Sequence, residues 1–126
     1  MFGSQTGDMT SVRRIVPNLT TTNADAAKQF YTSVLGLELV MDLDWVATVA
    51  STENPSAQIS LITEDRTAPV VPAISVEVDD VDAVHAKAVA DGLEIVHPLT
   101  DETWGVRRFF VRDPDGLVVN VLSHRS

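Results

Sequence analysis

Short apolar runs bounded by polar turns mark the first half of the chain as mostly extended. Val12 to Thr21, Leu37 to Met41, Trp45 to Ser51 and Gln58 to Thr63 each read as a strand. Between the first two, Thr22-Asn23 offers a helix N-cap, and Ala27, Phe30, Tyr31, Val34 and Leu35 follow at spacings that share one helical face. Gly36 stops that helix. The order then returns. Ala73 to Val78 reads as a strand, and Asp79-Asp80 caps a helix with Val81, Val84 and Ala88 inward and Gly92 at its end. Leu93 to Val96, Val106 to Val111 and Leu117 to Leu122 read as three more strands. The last two are joined by Asp113-Pro114-Asp115-Gly116, in which proline fixes one φ and glycine can take a positive one, a specific hairpin signal.

Each half is therefore a strand, a helix and three strands, and the two halves share sequence. Gly36-Leu37-Glu38-Leu39-Val40 recurs as Gly92-Leu93-Glu94-Ile95-Val96, fifty-six residues later. Asp44-Trp45 recurs as Thr103-Trp104, and Asn54-Pro55 as Asp113-Pro114, both fifty-nine residues on. A half of this size buries too little apolar surface to stand alone, so the halves are expected to share one core. The predicted organisation is a flexible arm over 1–11, with Met9 a second candidate start, and one domain over 12–126. Within it, module 1 spans 12–63, a charged, Pro69-containing linker spans 64–71, and module 2 spans 72–126.

Composition removes several classes of function. The chain of 126 residues has eighteen acids against nine Lys and Arg, a net charge of -9, which argues against nucleic acid as a partner because phosphate binding draws on cationic contacts. Cysteine is absent, and with it disulfides, thiolate nucleophiles and cysteine metal sites. No apolar run approaches the roughly 20 residues of a membrane helix, and a cytoplasmic protein is expected.

Gln29-Phe30-Tyr31 with Val34-Leu35-Gly36-Leu37, and Trp104-Gly105 with Phe109-Phe110-Val111-Arg112-Asp113-Pro114-Asp115-Gly116, resemble the first-helix and last-hairpin signatures of the vicinal oxygen chelate superfamily. That superfamily includes glyoxalases, extradiol dioxygenases and bleomycin-resistance proteins. The resemblance runs from about Arg13 to Ser123 and implies an α+β fold: two βαβββ modules forming an eight-stranded open cup with the helices outside. It also implies a homodimer, side by side or with exchanged modules.

In metal-dependent members, four inward positions hold a divalent ion through histidine, glutamate or glutamine. The family spacing carries them here to Val16, Ser60, Ala73 and Asn120. Valine and alanine offer no lone pair, and neutral serine and asparagine oxygens are weak ligands for transition metals. No metal and no cofactor are expected. His85, read as solvent-facing on the second helix, His97, read as a loop residue beside Pro98, and His124, near the end, show no spacing that would build a metal trio. Glu38 and Glu94 are repeat partners read as solvated strand-edge residues.

Strand alternation from those positions predicts the lining of the cup. Asn18 and Thr20 share a face with Val16, Ser75 and Glu77 with Ala73, Gln58 and Ile62 with Ser60, and Val118 and Leu122 with Asn120. Trp45 and Trp104 are equivalent in the repeat and could sandwich a planar ligand at the rim or pack between modules. Arg107 and Arg108 point to opposite faces, and the family pattern selects Arg107 as the ligand-orienting or structural one, with a salt bridge to Glu77 the plain alternative. The expected ligand-binding residues are Asn18, Trp45, Ser60, Ser75, Glu77, Trp104, Arg107 and Asn120. A buried Glu77 carboxylate favours a cationic guest.

No nucleophile triad and no phosphate loop are present, and no catalytic residue is assigned. The reading is a metal-independent small-molecule binder, for example of a planar or cationic antibiotic, that sequesters its ligand. The alternatives are a glyoxalase-like lyase or isomerase, and a partner-binding module whose pocket is vestigial.

Overall fold

The computed structural model describes residues 10–124. The arm predicted over 1–11 and the candidate start at Met9 lie outside that range, except for Thr10 and Ser11. These two are tied to the second module: the Thr10 hydroxyl and the Ser11 amide both donate to Asp79 Oδ1, the latter at 2.9 Å.

Module 1 contributes β1 (Val12–Thr20), α1 (Ala24–Gln29), β2 (Glu38–Asp42), β3 (Val46–Ala50) and β4 (Gln58–Ile62). Module 2 contributes β5 (Ile74–Val78), α2 (Val81–Ala90), β6 (Ile95–Asp101), β7 (Val106–Arg112) and β8 (Val118–His124). The eight strands form one open sheet in the order β2-β3-β4-β1-β5-β8-β7-β6. The duplication is visible in the pairing. β1 runs parallel to β4 and β5 parallel to β8, with Asn18 opposite Ser60 and Ser75 opposite Asn120, while β1 and β5 meet antiparallel at the centre.

Local chemistry accounts for the boundaries. Asn23 and Asp80 cap the two helices by accepting from the amides three residues on, Ala26 and Ala83. Gly36 and Gly92 end the helical segments with φ of 74° and 73°, a left-handed conformation that any Cβ would disfavour. In the last hairpin, Asp113 Oδ1 accepts from the amides of Asp115 and Leu117, both at 2.9 Å.

The two modules are packed unequally. Val81 and Ala88 of α2 join Val78, Phe109 and Val121 in a buried cluster, with Val84 against it. His85, expected to face solvent, instead meets Phe109 edge-on at 4.9 Å between ring centres. α1 buries nothing fully, and neither does the π-helical turn, Phe30–Val34, into which it widens after Gln29. Phe30, Val34 and Leu35 are exposed, as are Ile15 and Leu19 on the outer face of β1.

β6 is longer and later than predicted and takes in Pro98, which an edge strand tolerates. His97 is therefore not a loop residue: it is buried in β6 and packs against Phe110 with the rings tilted, centres 5.0 Å apart.

Candidate functional site

The concave face of the sheet holds a cavity of about 350 Å³. Six of the eight expected ligand-binding residues line it from strands or, for Trp45, from just before β3: Asn18, Trp45, Ser60, Ser75, Glu77 and Asn120. Trp104, in the turn before β7, is the seventh. Ala73 is exposed just before β5 and gives the cavity no side chain; Ser75, two residues on, does. Val16, Gln58, Ile62 and Leu122 also face inward, whereas Thr20 and Val118 are not among the lining residues.

Arg107 is the residue that sequence reasoning misplaced. It lies outside the cup, where its guanidinium bonds Asp82 at 2.9 Å and Asp101 at 3.1 Å, contacts that raise its already high pKa, Asp82 most. Arg108 faces inward instead. Register decides this: Val106, Arg108 and Phe110 lie opposite His124, Leu122 and Asn120, the inward row of β8, so the even-numbered positions of β7 share that face.

Arg108 is the hub of a buried charged cluster. Its Nη1 and Nη2 donate to the two oxygens of Asp65 at 2.9 and 3.0 Å, and Nε donates to Glu102 at 2.6 Å. Nη2 also meets Thr67 Oγ1 at 2.7 Å, and Glu102 takes a further contact of 3.2 Å from His97 Nε2. The guanidinium lies 5.1 Å from the Trp104 ring centre and 4.8 Å from that of Phe110, within cation–π reach. Asp65 and Thr67 belong to the connection between β4 and β5, so the cluster fastens that connection to module 2.

Glu77 has no salt bridge to Arg107. Its Oε1 lies 3.0 Å from Arg14 Nε and its Oε2 lies 2.8 Å from His124 Nδ1. The carboxylate is already met by a cation, so the argument from Glu77 to a cationic guest falls away. A polar row thus crosses the four central strands. Gln58 on β4 accepts from Arg14 Nη1 at 2.8 Å, and Arg14, Glu77 and His124 continue it on β1, β5 and β8. A second, neutral set lies deeper, where Asn18 Nδ2 and Asn120 Nδ2 both donate to Ser75 Oγ at 3.0 Å. Among the described residues two buried side-chain atoms lack a hydrogen-bond partner, Asn120 Oδ1 and Arg14 Nε, the second being close to Glu77 but poorly aligned for a hydrogen bond. Both belong to residues that line the cavity.

The two tryptophans do not form an open sandwich. Their rings meet edge to face, centres 5.6 Å apart at 73°, which closes the gap a planar guest would need between them. Trp104 remains 38% exposed, so one aromatic surface is still offered at the mouth.

Two βαβββ modules joined in one open sheet, with a solvent-open cavity on its concave face, define a vicinal oxygen chelate cup. A model of the Glyoxalase/Bleomycin resistance protein/Dioxygenase superfamily matches residues 12–121, and the chain belongs to that superfamily. Among curated proteins no sequence match is found.

Similar solved structures include methylmalonyl-CoA epimerase from Mycobacterium tuberculosis, with 18% identity and a TM-score of 0.69 over 91% of this chain and 88% of that one. A superfamily member from Vibrio splendidus 12B01 has 17% identity and a TM-score of 0.64 over 90% and 99%. These two likenesses show the fold alone. The Mn(II)-bound glyoxalase from Novosphingobium aromaticivorans has 25% identity and a TM-score of 0.63 over 89% of this chain, which spans only 38% of that protein.

A divalent metal of the kind that resemblance implies does not fit this cup. The positions carried over from metal-dependent relatives offer two aliphatic side chains, one hydroxyl and one amide, and transition metals need imidazole, thiolate or carboxylate. Among the described residues no three His, Cys, Asp or Glu side chains come together as a candidate ligand set. His97 and His124 are each engaged with a glutamate, in separate clusters.

Proposed function

We propose that this protein binds a small organic molecule in the cup without a metal ion and acts by holding it. The observation that carries this reading is a cavity of about 350 Å³ lined by the neutral polar side chains of Asn18, Ser60, Ser75 and Asn120 together with the Trp45 and Trp104 rings. Neutral hydroxyl and amide groups in such a wall can exchange hydrogen bonds with a ligand, each contributing about 0.5–1.5 kcal/mol net. Trp104 supplies an aromatic face at the mouth, and with Glu77 already neutralised the preferred guest is a planar, neutral hydrogen-bond donor. Antibiotic-like heteroaromatics are of this kind, and "bleomycin resistance" stands in the superfamily's own description. A homodimer belongs to the same proposal, and the exposed Phe30, Val34, Leu35 and Ile15 offer it an apolar face.

The test is a thermal-shift screen of planar heteroaromatics, followed by tryptophan fluorescence titration. Binding is expected to be saturable, to weaken in Trp104→Ala and Asn120→Ala, and to be indifferent to EDTA. Elemental analysis of protein purified without chelator is expected to give no stoichiometric transition metal. One zinc, nickel or manganese per chain, with a melting temperature lowered by EDTA, would overturn the reading. A metal-free lyase or isomerase is the second reading, favoured by the Glu77–His124 contact.

A further inference from the structure

We propose that Glu77 and His124 form a metal-independent proton-transfer pair, with His124 Nε2 the general base toward carbon acids bound in the cup. The inference rests on the cavity being a ligand site and adds an activity to it.

His124 is the last cavity-facing residue of β8, in the inward row that begins with Asn120 and Leu122. Its Nδ1 lies 2.8 Å from Glu77 Oε2. Opposite a carboxylate, Nδ1 carries the ring proton and donates it, so Nε2 keeps its lone pair. Nε2 makes no hydrogen bond among the described residues, and the side chain is 52% exposed at the cavity mouth. The orienting carboxylate is itself held from the other side, since Arg14 Nε lies 3.0 Å from Glu77 Oε1 and Arg14 Nη1 is tied to Gln58. A carboxylate that fixes the tautomer and aim of an imidazole, and stabilises the imidazolium once it forms, is what general-base catalysis by histidine requires. The charged groups around the imidazole are Glu77 on β5, Arg14 on β1 beyond it, and Arg108 on the neighbouring strand β7, where it pairs with Leu122 and is engaged by Asp65 and Glu102. Glu77 is a positioning residue; His124 is the one that would touch substrate.

The substrate class is small planar molecules with an acidified C–H. A suitable probe is 5-nitrobenzisoxazole, which is planar and opens by a single proton abstraction. His124 Nε2 takes the proton from C3, the C–H electron pair becomes part of the new nitrile, the N–O bond breaks, and the oxygen leaves as a coloured phenolate. The imidazolium then returns its proton to water.

With the full chain, ring opening is expected to run about 10²-fold faster than with free imidazole at equal concentration. The rate should saturate with the probe and climb to a plateau as pH rises, because only the neutral imidazole has the lone pair. His124→Gln should abolish the acceleration while retaining saturable quenching of tryptophan fluorescence by the probe. Glu77→Gln should lower the turnover rate about tenfold with the KM for the probe unchanged, and Glu77→Asp should recover part of it, a pattern that loss of a merely structural contact would not give. Saturable quenching without acceleration, or acceleration that survives His124→Gln, would overturn the proton-transfer pair and leave the binding reading intact. Absence of quenching would count against both.

Discussion

Arg108→Met removes the cation from a site built around it. The Arg108 side chain is 5% exposed, and the carboxylates it bonds, Asp65 and Glu102, are 2% and 6% exposed. The substitution preserves apolar bulk but deletes three charge-assisted hydrogen bonds of 2.6, 2.9 and 3.0 Å and strands two buried carboxylates. Breaking a buried ion pair from one side costs about 3–5 kcal/mol, chiefly because the surviving charge stays desolvated. For a domain of this size that is a fall in melting temperature of about 10–20 °C. Urea unfolding followed by far-UV circular dichroism measures it; Trp104 fluorescence alone would mislead, because Arg108 lies over that ring. The decisive control is Arg108→Met combined with Asp65→Asn and Glu102→Gln. If stranded charge is the cause, this neutral triple variant is more stable than the single one by at least about 1 kcal/mol, an interaction that a mutant cycle isolates. A single variant that loses less than about 1 kcal/mol, or a triple variant no better than the single, would refute the reasoning.

Three further outcomes are expected. The Asp79 carboxyl is held below its ordinary pKa of 3.8, first by the Thr10 hydroxyl and then by the Ser11 amide. A depressed folded pKa adds stability above the unfolded value that is lost as pH falls through the folded one, so the advantage of wild type over Asp79→Asn should shrink only in strongly acidic solution; an advantage unchanged there would contradict this. Gly92→Ala should cost about 1 kcal/mol, since φ is +73° but nothing lies within 4 Å of an added Cβ, and a loss of several kcal/mol by urea unfolding would point to a clash that the structure lacks. Arg107→Ala should leave ligand affinity unchanged, whereas Arg108→Met should weaken it, measured by the same fluorescence titration; the reverse order would restore the sequence-based choice.

Much of the cup was legible along the chain because its signals are local. Asn23 and Asp80 as caps, Gly36 and Gly92 as stops and the Asp113–Gly116 turn each act within a few residues, so the doubled βαβββ order could be read directly. Period-two alternation then carried Asn18, Ser60, Ser75, Glu77 and Asn120 to the concave face. Alternation inside a strand does not say which parity faces in, however. For β7 that was decided by pairing with β8, which exchanged Arg107 for Arg108.

Partners distant in sequence were likewise invisible. Glu77 meets His124 across 47 positions and Arg108 meets Asp65 across 43, and only strand order brings them into contact. The π-helical turn after Gln29 was also hidden, because the same apolar spacing suits a regular helix. The sequence by itself determined the elements, their duplication and the lack of metal-binding side chains at the carried-over positions, all of which follow from residue type and near-neighbour geometry. The tertiary structure alone decided which charges meet and which side chain is left free to act, because those depend on register between strands that the chain reaches only after long excursions.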